Sequence, residues 1–141
     1  MGQHLYRIQI LERHLDTFGH VNNATYLELF EEARWDWITK NGYGIERVQA
    51  ERQGPTILEI NIAFKRELRN RQWVDIVSWM EGYPSRVGTA VQQMLDAEGN
   101  LCCEARFVIG LFDLNERKLI LPTPAWRVAV GLPEVAAAES K

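Results

Sequence analysis

From residue 16 the chain reads Asp-Thr-Phe-Gly-His-Val-Asn-Asn-Ala-Thr-Tyr, and an amphipathic run continues from there to Asn41. An acid, a glycine, a histidine and two amide side chains fall within the eight residues from Asp16 to Asn23. The first N–H groups of a helix lack intrahelical acceptors and carry the positive end of its dipole. An oxygen that gains negative charge during a reaction is stabilised there. A carboxylate just ahead of the helix can attack an electrophile, or deprotonate a water, within reach of those donors. Asp, Asn and Gly before a helix also make an ordinary turn and N-cap, so residue type alone leaves both readings open.

The elements that must hold this stretch follow from periodicity. Residues His4 to Leu11 alternate, with Tyr6, Ile8 and Ile10 on one side, which predicts a first strand. Glu12 to Phe18 is a polar crossing. From Val21 or Asn22 to Asn41 the spacing becomes helical, and Asn23, Tyr26, Leu27, Phe30, Ala33, Arg34, Trp37 and Ile38 form one stripe. Gly42 is the expected stop. Trp35 lies off the stripe, as an exposed aromatic or a contact to another subunit. Glu31, at the rim of the stripe, either reaches a cavity or, as the safer reading, pairs with Arg34 or with another chain.

A short helix fits Gly44 to Gln53, broken by Gly54-Pro55. Strands follow at Leu58 to Phe64, Trp73 to Met80, Val87 to Leu95 and Leu101 to Phe112, with Asn115 to Lys118 a polar turn and Ala125 to Val130 a closing helical turn. The expected order is a strand, a long helix and four strands, an α+β domain over residues 1–133 with a polar, disordered tail from 134 to 141. One helix on one antiparallel sheet leaves outer positions such as Trp73, Val77, Trp79 and Val108 uncovered, so a homodimer is expected.

Composition bounds the partners. The 141 residues are 46% hydrophobic, the size of one domain with one core, and the net charge of -3 argues against general nucleic-acid binding. No signal-type apolar core and no run of 18 apolar residues is present, so neither export nor membrane spanning is expected, and a cytoplasmic location fits. Cys102 and Cys103 are neighbours that point to opposite faces of a strand, so neither a disulfide nor a metal pair is expected.

Asp16-Thr17-Phe18-Gly19-His20-Val21-Asn22-Asn23, followed by Tyr26-Leu27 and Phe30-Glu31-Glu32-Ala33-Arg34, resembles the opening signature of hotdog-fold thioesterases of the 4-hydroxybenzoyl-CoA thioesterase type. The turn Asp96-Ala97-Glu98-Gly99-Asn100-Leu101 with Glu104-Ala105 is similar to that family's last hairpin. The resemblance spans about Tyr6 to Asp113. It implies an antiparallel sheet wrapped around one central helix, a dimer or a pair of dimers, and an acyl-CoA thioester site at the subunit interface, with no metal and no cofactor. The family's acid falls on Asp16, as nucleophile or general base, and its oxyanion donor on the backbone N–H of Asn23.

Around these, Gly19 is read as the turn residue, Asn22 as the N-cap, and Tyr26 as support or core. His20 orients a water or the Asp16 loop, or simply bonds a carbonyl. Four basic residues lie within Lys65 to Arg71. Of these, Lys65, Arg69 and Arg71, with Ser85 and Arg86 in the next turn, are candidates for the phosphates of coenzyme A or the acidic face of an acyl carrier protein, against a reading as solvated turn charge. Leu58, Ile60 and Trp79 are candidates for an acyl pocket. Two other readings stay in view: a non-catalytic acyl-binding dimer, and a hydratase, for which His4 and His14 lack the usual paired context.

Overall fold

A single apolar stripe fixes the architecture. In helix α1 (Asn23–Lys40), Tyr26, Leu29, Phe30, Ala33, Trp37 and Ile38 recur at three- and four-residue steps and are buried. The structure, a computed structural model, describes residues 2–136, so most of the expected tail, from 137 onward, lies outside the described residues. Asn22 caps α1 as anticipated, its side chain accepting from the Ala24 N–H, and Gly42 turns the chain away with φ of 91°. The stripe differs in detail from the sequence reading: Leu29 belongs to it, whereas Asn23 is exposed.

The stripe lies on the inner face of one antiparallel sheet. Its strands are β1 (His4–Gln9), β2 (Gln53–Phe64), β3 (Trp73–Gly82), β4 (Val87–Leu95), β5 (Leu101–Asp113) and β6 (Lys118–Ile120). Their order is β1-β3-β4-β5-β2, with β6 paired to β5. Helix α2 (Ile45–Glu51) follows α1, and α3 (Pro124–Ala129) closes the chain against the end of α1, where Asn41 donates to the Ala129 carbonyl. This is the hotdog arrangement, a curved sheet around one helix, in the α+β class expected.

Three local expectations need correction. The polar turn expected over Asn115 to Lys118 ends one residue sooner, and Lys118, Leu119 and Ile120, the last two assigned to no element, form strand β6 by pairing with Asp113, Phe112 and Leu111. Three residues are too few for alternation to register. Helix α2 ends at its cap Arg52, in the left-handed conformation with φ of 58°, and Gly54 and Pro55, expected to break it, lie inside β2, because an edge strand tolerates a residue without an N–H on its open side. A bulge between Ile57 and Glu59 makes Leu58 the extra residue, so the alternation through Leu58 is broken and Ile57 shares the inner face with Ile60, Ile62 and Phe64.

The core holds Trp37, Trp126, Tyr43, Phe30 and Phe107, all nearly inaccessible. Both cysteines are buried free thiols, and burial pushes Cys103 up to about 12. One polar network is sealed between helix and sheet. Gln92 donates to the Phe30 carbonyl and to Ser78 Oγ, each at 3.0 Å, and accepts from Arg34 at 2.9 Å. Arg34 therefore pairs with Gln92, not with Glu31 as the sequence suggested. Its guanidinium also lies 4.3 Å from the centre of the Phe107 ring, and burial draws its pKa down to about 10.

Gln92→Leu removes the acceptor of a half-buried cation and strands the Ser78 hydroxyl. It is expected to cost about 3 kcal/mol in urea unfolding, from the penalty of unpaired buried polar groups. A loss below about 0.5 kcal/mol would show that the network is not holding the helix to the sheet.

Candidate active site

Between β1 and α1 the chain makes a 3-10 turn (Glu12–His14) and then a tight loop. His14 is buried, and its Nδ1 accepts from the Leu11 N–H at 2.9 Å, which fixes the turn. Burial holds its pKa below the usual histidine value. Leu15 and Val21 form an isolated bridge, so residues 16–20 are pinched into a closed turn. Inside it the Asp16 N–H donates to the His20 carbonyl at 2.8 Å and the Gly19 N–H to the Asp16 carbonyl at 3.1 Å. Gly19 has φ of 81°, a conformation in which a side chain is strained.

The Asp16 carboxylate is part of this turn. Its Oδ1 accepts from the Phe18 N–H at 2.9 Å and from the His20 N–H at 3.1 Å. Its Oδ2 accepts no hydrogen bond among the described residues, and the side chain is exposed in the single chain. Three residues after His20, α1 begins. Asn22 Oδ1 accepts from Ala24 at 2.8 Å, and the Asn22 carbonyl accepts from Thr25 and Tyr26. Among the described residues none accepts from the Asn23 N–H, which is left as a free donor at the positive end of an 18-residue helix. The arrangement offers a carboxylate oxygen and a backbone donor from two ends of one short connection.

The other sequence candidates divide between two places. Tyr26 is buried and packs edge-on against Phe64, ring centres 4.9 Å apart, at the same end of the molecule. His20 Nε2 lies 3.4 Å from Glu67, joining the loop to the β2–β3 connection that carries Lys65, Arg69 and Arg71. That connection also meets the end of β1, where the Arg71 N–H donates to the Ile10 carbonyl. Arg71 is already engaged: its guanidinium grips Glu12 through bonds of 2.6 and 2.8 Å. Ser85 and Arg86 lie in the β3–β4 turn, and the ten residues of β3, roughly 30 Å, separate them from the Asp16 end. One chain does not group them with the loop.

The proposed acyl-pocket residues also separate. Trp79 pairs with Val91 on the outer face of the sheet, away from α1. Leu58 and Ile60 are 46% and 47% exposed along β2, the open edge. A cavity of about 90 Å³ lies between the second half of α1 and the start of β2, walled by Trp35, Ile38, Ile57, Ile109, Trp126 and Val130. Glu31, which the sequence places at the rim of the stripe within reach of a cavity, and Arg34 line it too. Trp35, a large aromatic off the buried stripe, is a second signal of it.

Glu12 ties the 3-10 turn before Asp16 to the basic connection. Its carboxyl is held at about 2, from an ordinary 4.5, first by the hydrogen bond from Arg71 and then by that from Asn70. A folded value below the unfolded one means that this stability is complete above about pH 4.5 and is lost as pH falls toward 2. Both partners are exposed, so the effect is screened by salt. Glu12→Gln is expected to lower the urea midpoint at pH 7 and to match the native chain near pH 2. Equal midpoints at pH 7 would show that the pair fastens nothing.

Comparison with known proteins agrees with this geometry. Residues 11–138 match the family model described as the thioesterase-like superfamily. The long-chain acyl-CoA thioesterase FadM of Escherichia coli (strain K12) is 30% identical over 115 residues, covering 81% of this chain and 86% of its own. Among solved structures, the probable thioesterase YbaW from Escherichia coli superposes with a TM-score of 0.79 at 26% identity, covering 90% of this chain and 96% of that one. The DHNA-CoA thioesterase from Staphylococcus aureus shares the fold, with a TM-score of 0.81 at 20% identity over 92% of this chain and 89% of that one. The free helix donor and the tethered acid thus lie in a chain that belongs to the thioesterase-like superfamily of thioester hydrolases.

Proposed function

We propose that the protein is an acyl-CoA thioesterase in which Asp16 and the Asn23 N–H act on the thioester carbonyl. The observation that carries this reading is the division of labour within the Asp16 carboxylate. Oδ1 is immobilised by two amides while Oδ2 is left unengaged, next to a helix start whose Asn23 N–H is also unengaged. The kinship with FadM, named for long-chain acyl-CoA hydrolysis, supports the same substrate class.

The chemistry needs little more. The carbonyl oxygen takes a hydrogen bond from Asn23, and negative charge developing there is stabilised by the helix dipole. Asp16 either attacks the carbonyl carbon, giving a mixed anhydride that water then opens, or takes a proton from the water that attacks. In both routes the C–S bond breaks, and the thiolate leaves without strong acid assistance because a free thiol has a pKa near 8.5. The contact of His20, more than half exposed, with Glu67 supports a part in orienting the loop.

The active unit is proposed to be a homodimer. Strand β2 is a twelve-residue open edge whose inner face presents Ile60 and Phe64, 47% and 49% exposed and, even with Tyr26 of α1 against Phe64, only partly covered. Pairing two such edges buries both. The Lys65 to Arg71 connection supports binding of coenzyme A phosphates, with Lys65 and Arg69 the more available side chains because Arg71 holds Glu12. The same basic surface would suit an acidic carrier protein, and comparing the two carriers at equal acyl chain separates them. Among the described residues no helix is long and apolar enough to cross a membrane, and action on a soluble carrier in the cytoplasm fits that.

Asp16→Asn is expected to keep the circular dichroism and urea midpoint within error while lowering kcat for acyl-CoA hydrolysis about a hundredfold or more, read as free thiol release. Native rates in the variant would remove Asp16 from the chemistry. No thiol release from any acyl-CoA by the native protein would instead favour a binding role.

A further inference from the structure

The buried His14 ring has no part in the chemistry above, yet it lies where the position of Asp16 is decided. The His14 N–H donates to the Leu11 carbonyl at 2.9 Å, and the Leu11 N–H donates back to His14 Nδ1 at 2.9 Å, so one residue clamps both polar groups of another. Just upstream, Ile10 is fastened to the β2–β3 connection, its N–H donating to the Gln72 carbonyl at 2.9 Å and its carbonyl accepting from the Arg71 N–H at 2.7 Å. Just downstream, the Leu15 N–H donates to the Glu12 carbonyl at 3.1 Å, and Leu15 forms the bridge to Val21 that closes the Asp16 turn. The clamp therefore stands between the last residue tied to that connection and the first residue of the turn. Because the turn is bonded within itself, a displacement at Leu15 is passed to the Asp16 carboxylate. The Asn23 N–H, held separately by α1, does not follow.

The clamp works in one protonation state only. An Nδ1 that accepts from an amide must be bare, which puts the proton of the neutral ring on Nε2. A proton on Nδ1 would set a donor 2.9 Å from the Leu11 donor and a charge at a residue only 8% exposed. Burial opposes that charge most, followed by Arg13 of the same turn, against Glu32 and Glu28 of α1, which favour it. Glu32 is itself engaged by the Tyr6 hydroxyl of β1. The balance holds the ring below its ordinary 6.5, so the clamp is complete above about pH 6.5 and is lost as pH falls through the lower folded value. The residue that usually accepts from an N-cap N–H at this spacing is Glu or Gln. A glutamine there could not titrate, whereas a histidine gives up its acceptor in mild acid.

We propose that His14 is a positioning residue for Asp16: its neutral ring, by clamping Leu11, aims the carboxylate at the helix start, and protonation of the ring opens the clamp and lowers the rate. The proposal rests on the reading of Asp16 as the acting acid and adds what controls its aim. His14 itself touches no reacting atom. A misplacement of about 1 Å can cost on the order of a hundredfold in rate, so a small opening suffices.

The test follows hexadecanoyl-CoA hydrolysis, as thiol release, in His14→Leu and His14→Asn. Leucine offers no acceptor, whereas the asparagine oxygen comes close to the place of Nδ1 and does not titrate. At about pH 8, His14→Leu is expected to lower kcat about tenfold or more with KM within about twofold, and His14→Asn to recover kcat to within about threefold of native. Between about pH 8 and 5, native kcat is expected to fall in a step at the midpoint of the His14 ring, read from its own imidazole proton shifts, and His14→Asn to lack that step. The native Phe18 and His20 amide protons, which report the bonds to Asp16 Oδ1, are expected to move through the same midpoint. A merely structural His14 would lower the unfolding temperature and leave these profiles alone. Native kcat in a folded His14→Leu overturns the proposal, as does an acid limb identical in the native protein and His14→Asn, and either result leaves the thioesterase reading standing. Should His14→Leu fail to fold, the His14→Asn profile decides. Native rates in Asp16→Asn would instead overturn both this proposal and the reading it rests on.

Discussion

A helix cannot satisfy its own first donors, and this protein's site depends on that constraint. The N-cap Asn22 uses its side chain on Ala24 and its carbonyl on Thr25 and Tyr26, so the capping is complete except at Asn23. The donor left over is backbone, fixed in direction by an 18-residue helix whose stripe is locked to the sheet by Phe30, Trp37 and the Gln92 network. Such a donor needs no reorganisation when charge appears. The acid is held as firmly, because the turn from Asp16 to His20 closes on Asp16 Oδ1 itself.

How this was legible in the sequence differs from element to element. The helix, its cap and its stop were readable because an 18-residue amphipathic pattern, an Asn before it and a Gly after it are local signals that tertiary contacts reinforce. Strands β3 to β5 were readable by alternation and turn residues. Strand β6 was too short to alternate, and the Gly54-Pro55 pair carried a turn signal that edge pairing overrode. The bulge at Leu58 was hidden, since one inserted residue shifts the faces without altering composition.

The site was legible in proportion to its locality. Asp16, Gly19, His20, Asn22 and Asn23 are close enough in sequence for one turn and one helix start to be readable, whereas the catalytic parts of Asp16 and Asn23 rest on the family resemblance and stand as proposals. Long-range partners were not. Nothing near Arg71 signals that Glu12, 59 residues earlier, occupies its guanidinium. Nothing near Arg34 signals Gln92. Ser85 and Arg86 looked like neighbours of the basic run because the next turn is close in sequence, but an antiparallel strand carries the chain to the far end of the sheet.

The active-site turn and the open edge describe one design at two scales. The proposed chemistry rests on a few bonds inside one turn, whereas the edge strand β2 is left half-exposed. The central claim, that the Asn23 N–H meets the thioester oxygen, is tested most directly by amide proton shifts on titrating a non-hydrolysable ketone analogue of an acyl-CoA into nitrogen-labelled protein. The account predicts that the Asn23 amide proton moves far downfield while the mid-helix amides from Phe30 to Trp37 stay in place. An unshifted Asn23, with the changes gathered at the β3–β4 turn instead, would contradict it.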